Sequence, residues 1–185
     1  MSSETSKNKF GVKRITQIAL VTAIVCILGP ISFPIAISEV PVSLGILGIF
    51  LAVIILGMVD GTISILLYIL LGFVGLPVFA GFTSGVTKLA GPTGGYIVGY
   101  VFLALIAGFF LDHFKRKIPF AVIGMVLGTA VCYAFGTAWL AHGLGITFFA
   151  ALGVGVLPYI PFDLAKMIIA LLVGIPVYKA VQKIR

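Results

Sequence analysis

Between Lys117 and Asp163 the chain carries no Asp, Glu, Lys or Arg. The same holds from Arg14 to Glu39, from Glu39 to Asp60, from Asp60 to Lys88 and from Lys88 to Asp112. Soluble domains carry roughly 25% charged residues; this chain carries 9%, with a mean hydropathy of +1.28. So few charges cannot cover a surface exposed to water. The sequence therefore describes an integral membrane protein, read as one domain over residues 1–185 with a cytoplasmic tail over 1–11. The net charge of +7 would suit nucleic acid. However, the basic residues sit at the ends of apolar segments rather than along a stripe, so they are read as orientation signals and no nucleic-acid partner is expected. Cys26 and Cys132 lie inside apolar runs and read as small buried hydrophobes.

A membrane-spanning helix needs about 20 predominantly apolar residues. That rule gives six spans, near Val12–Leu28, Val42–Met58, Thr62–Val74, Thr93–Phe114, Pro119–Leu140 and Phe162–Val181, the last with a kink expected near Pro176. Val59-Asp60-Gly61 reads as the tight turn between the second and third. Lys7, Lys9, Lys13 and Arg14 precede the first span, Lys115, Arg116 and Lys117 separate the fourth from the fifth, and Lys179, Lys183 and Arg185 follow the sixth. With six spans all three groups fall on one side, which the positive-inside rule makes cytoplasmic, together with both termini. Three long loops then gather on the outer side. They are Gly29–Pro41 with three prolines and Glu39, the glycine-rich stretch from Gly75 to Pro92, and Ala141–Ile160, where a short surface helix is expected. Irregular backbone of this kind is tolerated where protein buries it or it lines a cavity, so the loops point to a lidded outer pocket.

Asp163 and Lys166 stand three residues apart at the start of the sixth span and so share a helix face. Each charge within a membrane costs roughly 2.5–3.5 kcal/mol on the insertion scale, so such residues pair with each other or mark a functional interior. Lys88 reads either as an interfacial lysine reaching the headgroups or as a contact to an anionic ligand. Gly91-Pro92-Thr93-Gly94-Gly95-Tyr96 opens a helix whose free N–H groups suit a carboxylate, although close helix packing explains the glycines equally well. Ala19 and Ala23 form a small-xxx-small step on the first helix, as do Gly124 and Gly128, and Ala134 and Ala138. His113 and His142 have no companion at metal-ligand spacing, and Asp112 with His113 reads as a cap on the fourth span. Neither a nucleophile with a base nor a paired carboxylate is present, so an enzyme is not expected.

Three segments, GLPVFAG (Gly75–Gly81), LAGPTGGY (Leu89–Tyr96) and PYIPFDLAK (Pro158–Lys166), resemble the BioY family in the same order along essentially the whole chain. These are the biotin-specific substrate-binding (S) subunits of energy-coupling factor (ECF) transporters. The resemblance implies the all-α, six-helix S-component fold and high-affinity capture of biotin. It also implies a plasma-membrane location and partnership with a transmembrane coupling subunit and two cytoplasmic ATPases, with no cofactor of its own. It implies that Asp163 and Lys166 bind the biotin head and that Ala19 and Ala23 face the coupling subunit. The ureido ring offers N–H donors to Asp163 and a carbonyl to Lys166. Phe79 and Tyr96 are the candidate aromatic walls. Lys88, Thr83, Ser84 or the amides of Thr93–Gly95 are the candidates for the valerate carboxylate. Many family members carry Gln after a VPITL stretch in the first outer loop; this chain reads VPVSLG, with Gly45 at that place. The readings held against this one are an S component for another vitamin, a small intramembrane enzyme using Asp163 and Lys166 as acid and base, and a purely structural subunit.

Overall fold

The structure, a computed structural model, describes residues 11–35 and 38–183. Among the described residues, eight helices and one hairpin follow in the order α1 (Val12–Leu28), β1 (Ser32–Ile35), β2 (Ser38–Ser43), α2 (Gly45–Leu56), α3 (Met58–Val74), α4 (Gly85–Ala90), α5 (Gly94–His113), α6 (Ile118–Leu144), α7 (Phe148–Gly155) and α8 (Ile160–Lys183). Among the described residues, α5, α6 and α8 are long and apolar enough to cross a membrane, and α2 and α3 are shorter apolar helices. Outward faces carry large apolar side chains such as Leu20, Ile168 and Leu172, whereas Ser64, Thr137, Asp163 and Lys166 are buried. That inversion of polarity fits a protein whose solvent is lipid.

The interior is organised on α2. Its segment GILGIFLAVIIL is apolar on every side, and a helix of that kind is buried all round. Ile49, Phe50, Ala52, Val53 and Ile54 are fully enclosed, with α1, α3, α5 and α8 packed around them. At 12 residues α2 spans about 18 Å, short of a bilayer core of about 30 Å. α5 and α6 form a close pair: a Cβ at Gly128 would stand 3.0 Å from the carbonyl oxygen of Leu103. Gly124 and Gly128 thus serve packing inside the chain.

Two local differences from the sequence expectation have clear causes. The turn between α2 and α3 is at Gly57, which takes φ of +89°, and not at Val59-Asp60-Gly61. Asp60 instead occupies the first turn of α3, where the helix dipole favours an anion, and receives Arg14 Nε and Nη2 from α1. Asp112 does not cap its own helix. Its Oδ2 accepts the N–H of Met58 at 2.7 Å, capping α3, while Oδ1 pairs with Arg116 at 3.1 Å. Arg116 also donates to the Ile54 carbonyl at 3.0 Å and lies over the Tyr178 ring. α8 runs through Pro176 as one helix.

These contacts gather the start of α1, the α2–α3 junction, the end of α5 and the end of α8 at one end of the molecule. Lys13, Arg14, Lys115, Arg116, Lys117, Lys179 and Lys183 belong to that end; Lys7, Lys9 and Arg185 lie outside the described residues. At the other end Gly81 N–H donates to the Pro30 carbonyl, Trp139 Nε1 to Gly91 and Tyr159 Oη to Val40. The three long loops therefore meet there; the first two are more regular than the sequence suggested, and the third carries the short helix expected of it. The first folds into the β1–β2 hairpin, with Ser32 opposite Ser43 and Phe33 opposite Val42. The second contains α4, and the third contains α7.

Candidate functional site

α8 begins just after Pro158, and Pro161 lies in its first turn. Asp163 also falls in that turn, where the dipole favours its charge. Lys166, one turn on, points the same way and donates from Nζ to Asp163 Oδ1 at 2.7 Å. Only 4% of Asp163 and 6% of Lys166 is exposed, so the pair is held away from water and lipid alike. Tyr133, from α6, donates to the other carboxylate oxygen, Oδ2, at 2.5 Å. A buried ion pair persists when further hydrogen bonds satisfy its remaining polar atoms, and here Tyr133 contributes one.

The pair lines one lobe of a cavity beneath the loops, together with Tyr133, Tyr159 and Gly155. A second lobe is lined by Tyr68, Phe79, Ala80, Lys88 and Thr93. The lobes share a wall of Val40, Pro41, Ser43, Tyr96 and Tyr100, and each has a cavity volume of about 40 Å³. One end of the space thus holds an acid and a base, the middle is aromatic, and the far end holds a lysine. Burial holds the Lys88 ammonium below the usual lysine range, because desolvation disfavours the charged form.

Tyr96 is fixed from two sides. Its hydroxyl donates to the Gly155 carbonyl at 3.0 Å, its ring lies on Gly136, where a Cβ would come within 2.2 Å, and Gly155 closes on its oxygen. Phe79 is seated on Gly72 and meets Tyr68 edge-on at 5.6 Å between ring centres. The seats of these aromatic walls, Gly72, Gly136 and Gly155, are not the glycines singled out in the sequence.

The structure brings Asp163, Lys166 and Tyr96 to one lobe, and Tyr96, Phe79 and Lys88 to the other. It does not bring Thr83 or Ser84 to either lobe. Thr83 closes a tight turn with Phe79, and its hydroxyl donates to the Ala80 carbonyl at 2.9 Å. Ser84 precedes α4 without a side-chain cap bond. Of the Thr93–Gly95 amides, that of Gly94 is engaged by the Gly91 carbonyl at 2.9 Å. Gly45 starts α2, and its N–H donates to Ser43 Oγ at 2.9 Å. Ser43, two residues before the glycine, is the polar side chain that this segment offers to both lobes, beside Val40 and Pro41. Sequence reasoning missed Ser43, Tyr68, Tyr100, Tyr133 and Tyr159. A signal was available: the chain has six tyrosines, and all but Tyr178 line this cavity. Ala19 and Ala23 lie elsewhere, exposed on the outer face of α1. Among the described residues no cluster of His, Cys, Asp or Glu could hold a metal ion.

Fold and site together define a helical membrane protein built around an enclosed binding cavity, with the architecture of an ECF S component. The BioY family model matches residues 2–183. A biotin transporter BioY2 from Lactococcus lactis subsp. cremoris is 35% identical over 168 residues, covering 91% of each chain. A biotin transporter BioY from Thermotoga maritima is 32% identical over 170 residues, covering 90% of this chain and 96% of its own. The crystal structure of the S-component for biotin from an ECF-type ABC transporter superposes with a TM-score of 0.83 at 31% identity, covering 91% of this chain and 92% of its own. The chain belongs to the BioY family, a family of transporter S components rather than of enzymes.

Proposed function

We propose that the chain is the biotin-binding S component of an ECF-type uptake transporter in the plasma membrane. The observation that carries this reading is the two-lobed cavity, with a buried acid–base pair at one end and a lysine at the other. Biotin has the same polarity: a ureido head with donors and an acceptor, an apolar bicycle, and a carboxylate at the end of a flexible chain. In this reading Asp163 accepts from a ureido N–H and Lys166 donates to the ureido oxygen. Tyr96 and Phe79 flank the bicycle and chain, and Lys88 meets the carboxylate. Thr83 and Ser84 act through the turn that places Phe79 and α4.

Six spans with both termini cytoplasmic fit the alternating helices and the basic residues gathered at one end. The chain then works as one domain, with the loop end facing outward to receive biotin. The small residues Ala19 and Ala23, on the outer face of α1, suit close approach by a transmembrane coupling subunit, which two cytoplasmic ATPases drive. This chain's own contribution is a pair of states with different affinity for biotin; it hydrolyses nothing.

Mass spectrometry of small molecules that co-purify with the detergent-solubilised chain tests the reading. Biotin is the expected species. A riboflavin or thiamine signal would keep the class of transporter and overturn the specificity.

A further inference from the structure

Asp163 lies between two spaces. On one side it lines the polar lobe of the cavity. On the other it borders an apolar crevice of about 200 Å³ between α6 and α8, lined also by Val126, Thr129, Ala130, Ile160, Leu164 and Met167. Only Tyr133 and Asp163 belong to the linings of both spaces. Their hydrogen bond therefore stands as the partition between a polar cavity and an outward-facing apolar crevice. Asp163 is only 4% exposed, and a buried anion without a donor would incur the full desolvation cost. Among the described residues two donors hold Asp163, Lys166 on Oδ1 and Tyr133 on Oδ2.

We infer that Tyr133 is a positioning residue for the ligand's polar head, fixing Asp163 from the crevice side so that its remaining acceptor capacity is turned into the cavity. The Tyr133 hydroxyl restrains the rotation of the carboxylate and seals it from the lipid side. Lys166 then sets the height of the other oxygen, and the two together define one orientation. A hydroxyl does this better than a second cation, because it holds the anion without neutralising it.

The affinity part of the test rests on the proposed biotin reading, and the spectroscopic part does not. In nanodisc-reconstituted full chain, Tyr133→Phe should weaken biotin binding roughly tenfold to hundredfold, the scale of one hydrogen bond to a charged group. In an Asp163→Asn background the same change should cost less than about twofold, because the charge it positions is gone. An unchanged affinity in Tyr133→Phe, or an equal loss in both backgrounds, would overturn the assignment. The ligand-free chain provides the independent readout. The infrared carboxylate band that disappears in Asp163→Asn should shift in Tyr133→Phe. Should Tyr133→Phe not fold, 3-fluorotyrosine at position 133 keeps the hydroxyl, strengthens it as a donor and should move the band the opposite way. A band indifferent to these changes rejects the positioning role. A band that shifts in Tyr133→Phe, when the wild-type chain binds no biotin, leaves this inference standing and rejects the biotin reading instead.

Discussion

Replacing Lys166 by Met separates the two roles that a buried acid–base pair can have. Met matches the lysine stem in length and removes only the charge. Asp163 then keeps 4% exposure and one donor, Tyr133, but loses the ammonium 2.7 Å from its Oδ1. Removing one partner of a buried pair costs about 3–5 kcal/mol. The remaining tyrosine donor places this case near the low end, about 3 kcal/mol, or roughly two powers of ten in the folding equilibrium. The double variant Asp163→Leu with Lys166→Met removes the orphaned charge along with its partner. Such apolar replacements are often neutral or stabilising by about 1–4 kcal/mol. Stability should therefore fall in the single variant and return in the double, whereas biotin binding should be lost in both. Equilibrium unfolding in mixed micelles, followed by circular dichroism, reads the first quantity; calorimetric titration with biotin reads the second. Wild-type biotin affinity in the double variant would make the pair a structural clasp and refute its ligand role. Equal stability of the single variant and the wild type would refute the claim that the charges are coupled.

Three further outcomes are expected. If Lys88 holds the ligand carboxylate, only its protonated form does so; because burial lowers its pKa, biotin's dissociation constant should be flat at low pH and rise by about tenfold per pH unit once pH passes that lowered value. Lys88→Met should flatten the profile, and a profile that keeps its slope would assign the titration elsewhere. Gly136→Ala places a Cβ 2.2 Å from the Tyr96 ring and should cost about 1–3 kcal/mol of stability together with ligand affinity, while Gly143→Ala, with nothing within 4 Å, should change neither; thermal unfolding with and without biotin checks both. Ala19→Trp or Ala23→Trp should leave biotin binding intact and abolish co-purification with the coupling subunit, and a complex that still assembles and transports would remove α1 from that interface.

Charge scarcity was enough to read a membrane protein, and the positions of Arg14, Asp112 and Arg116 marked one end of the bundle before any coordinates did. Hairpin β1–β2 escaped because PISFPIAISEVP has three prolines and reads as irregular chain. Proline is nevertheless admissible on an edge strand, and a two-stranded ribbon is all edge. α3 begins four residues earlier than expected because Asp60 looked like a turn residue. Its partner Arg14 is remote in sequence, and only the packing of α1 on α3 reveals that an acid in the first helical turn is favoured there.

The site was legible in proportion to the cost of burying each residue. A charge inside a membrane is expensive enough that Asp163 and Lys166 stand out without any alignment. A tyrosine is not: its ring is at home in lipid and its hydroxyl needs one acceptor, so Tyr68, Tyr100, Tyr133 and Tyr159 look like ordinary apolar residues until their partners are seen. Helical periodicity gives little help, because lipid and protein core are alike in polarity and both faces of a span are apolar. What does differ between the faces is size. Gly72 and Gly136 mark where a ring must lie against a helix, which neither lipid packing nor backbone conformation demands of them. In a chain of this kind, small residues and hydroxylated rings read together locate the cavity wall better than hydropathy, and the charged pair then marks the cavity's most polar end.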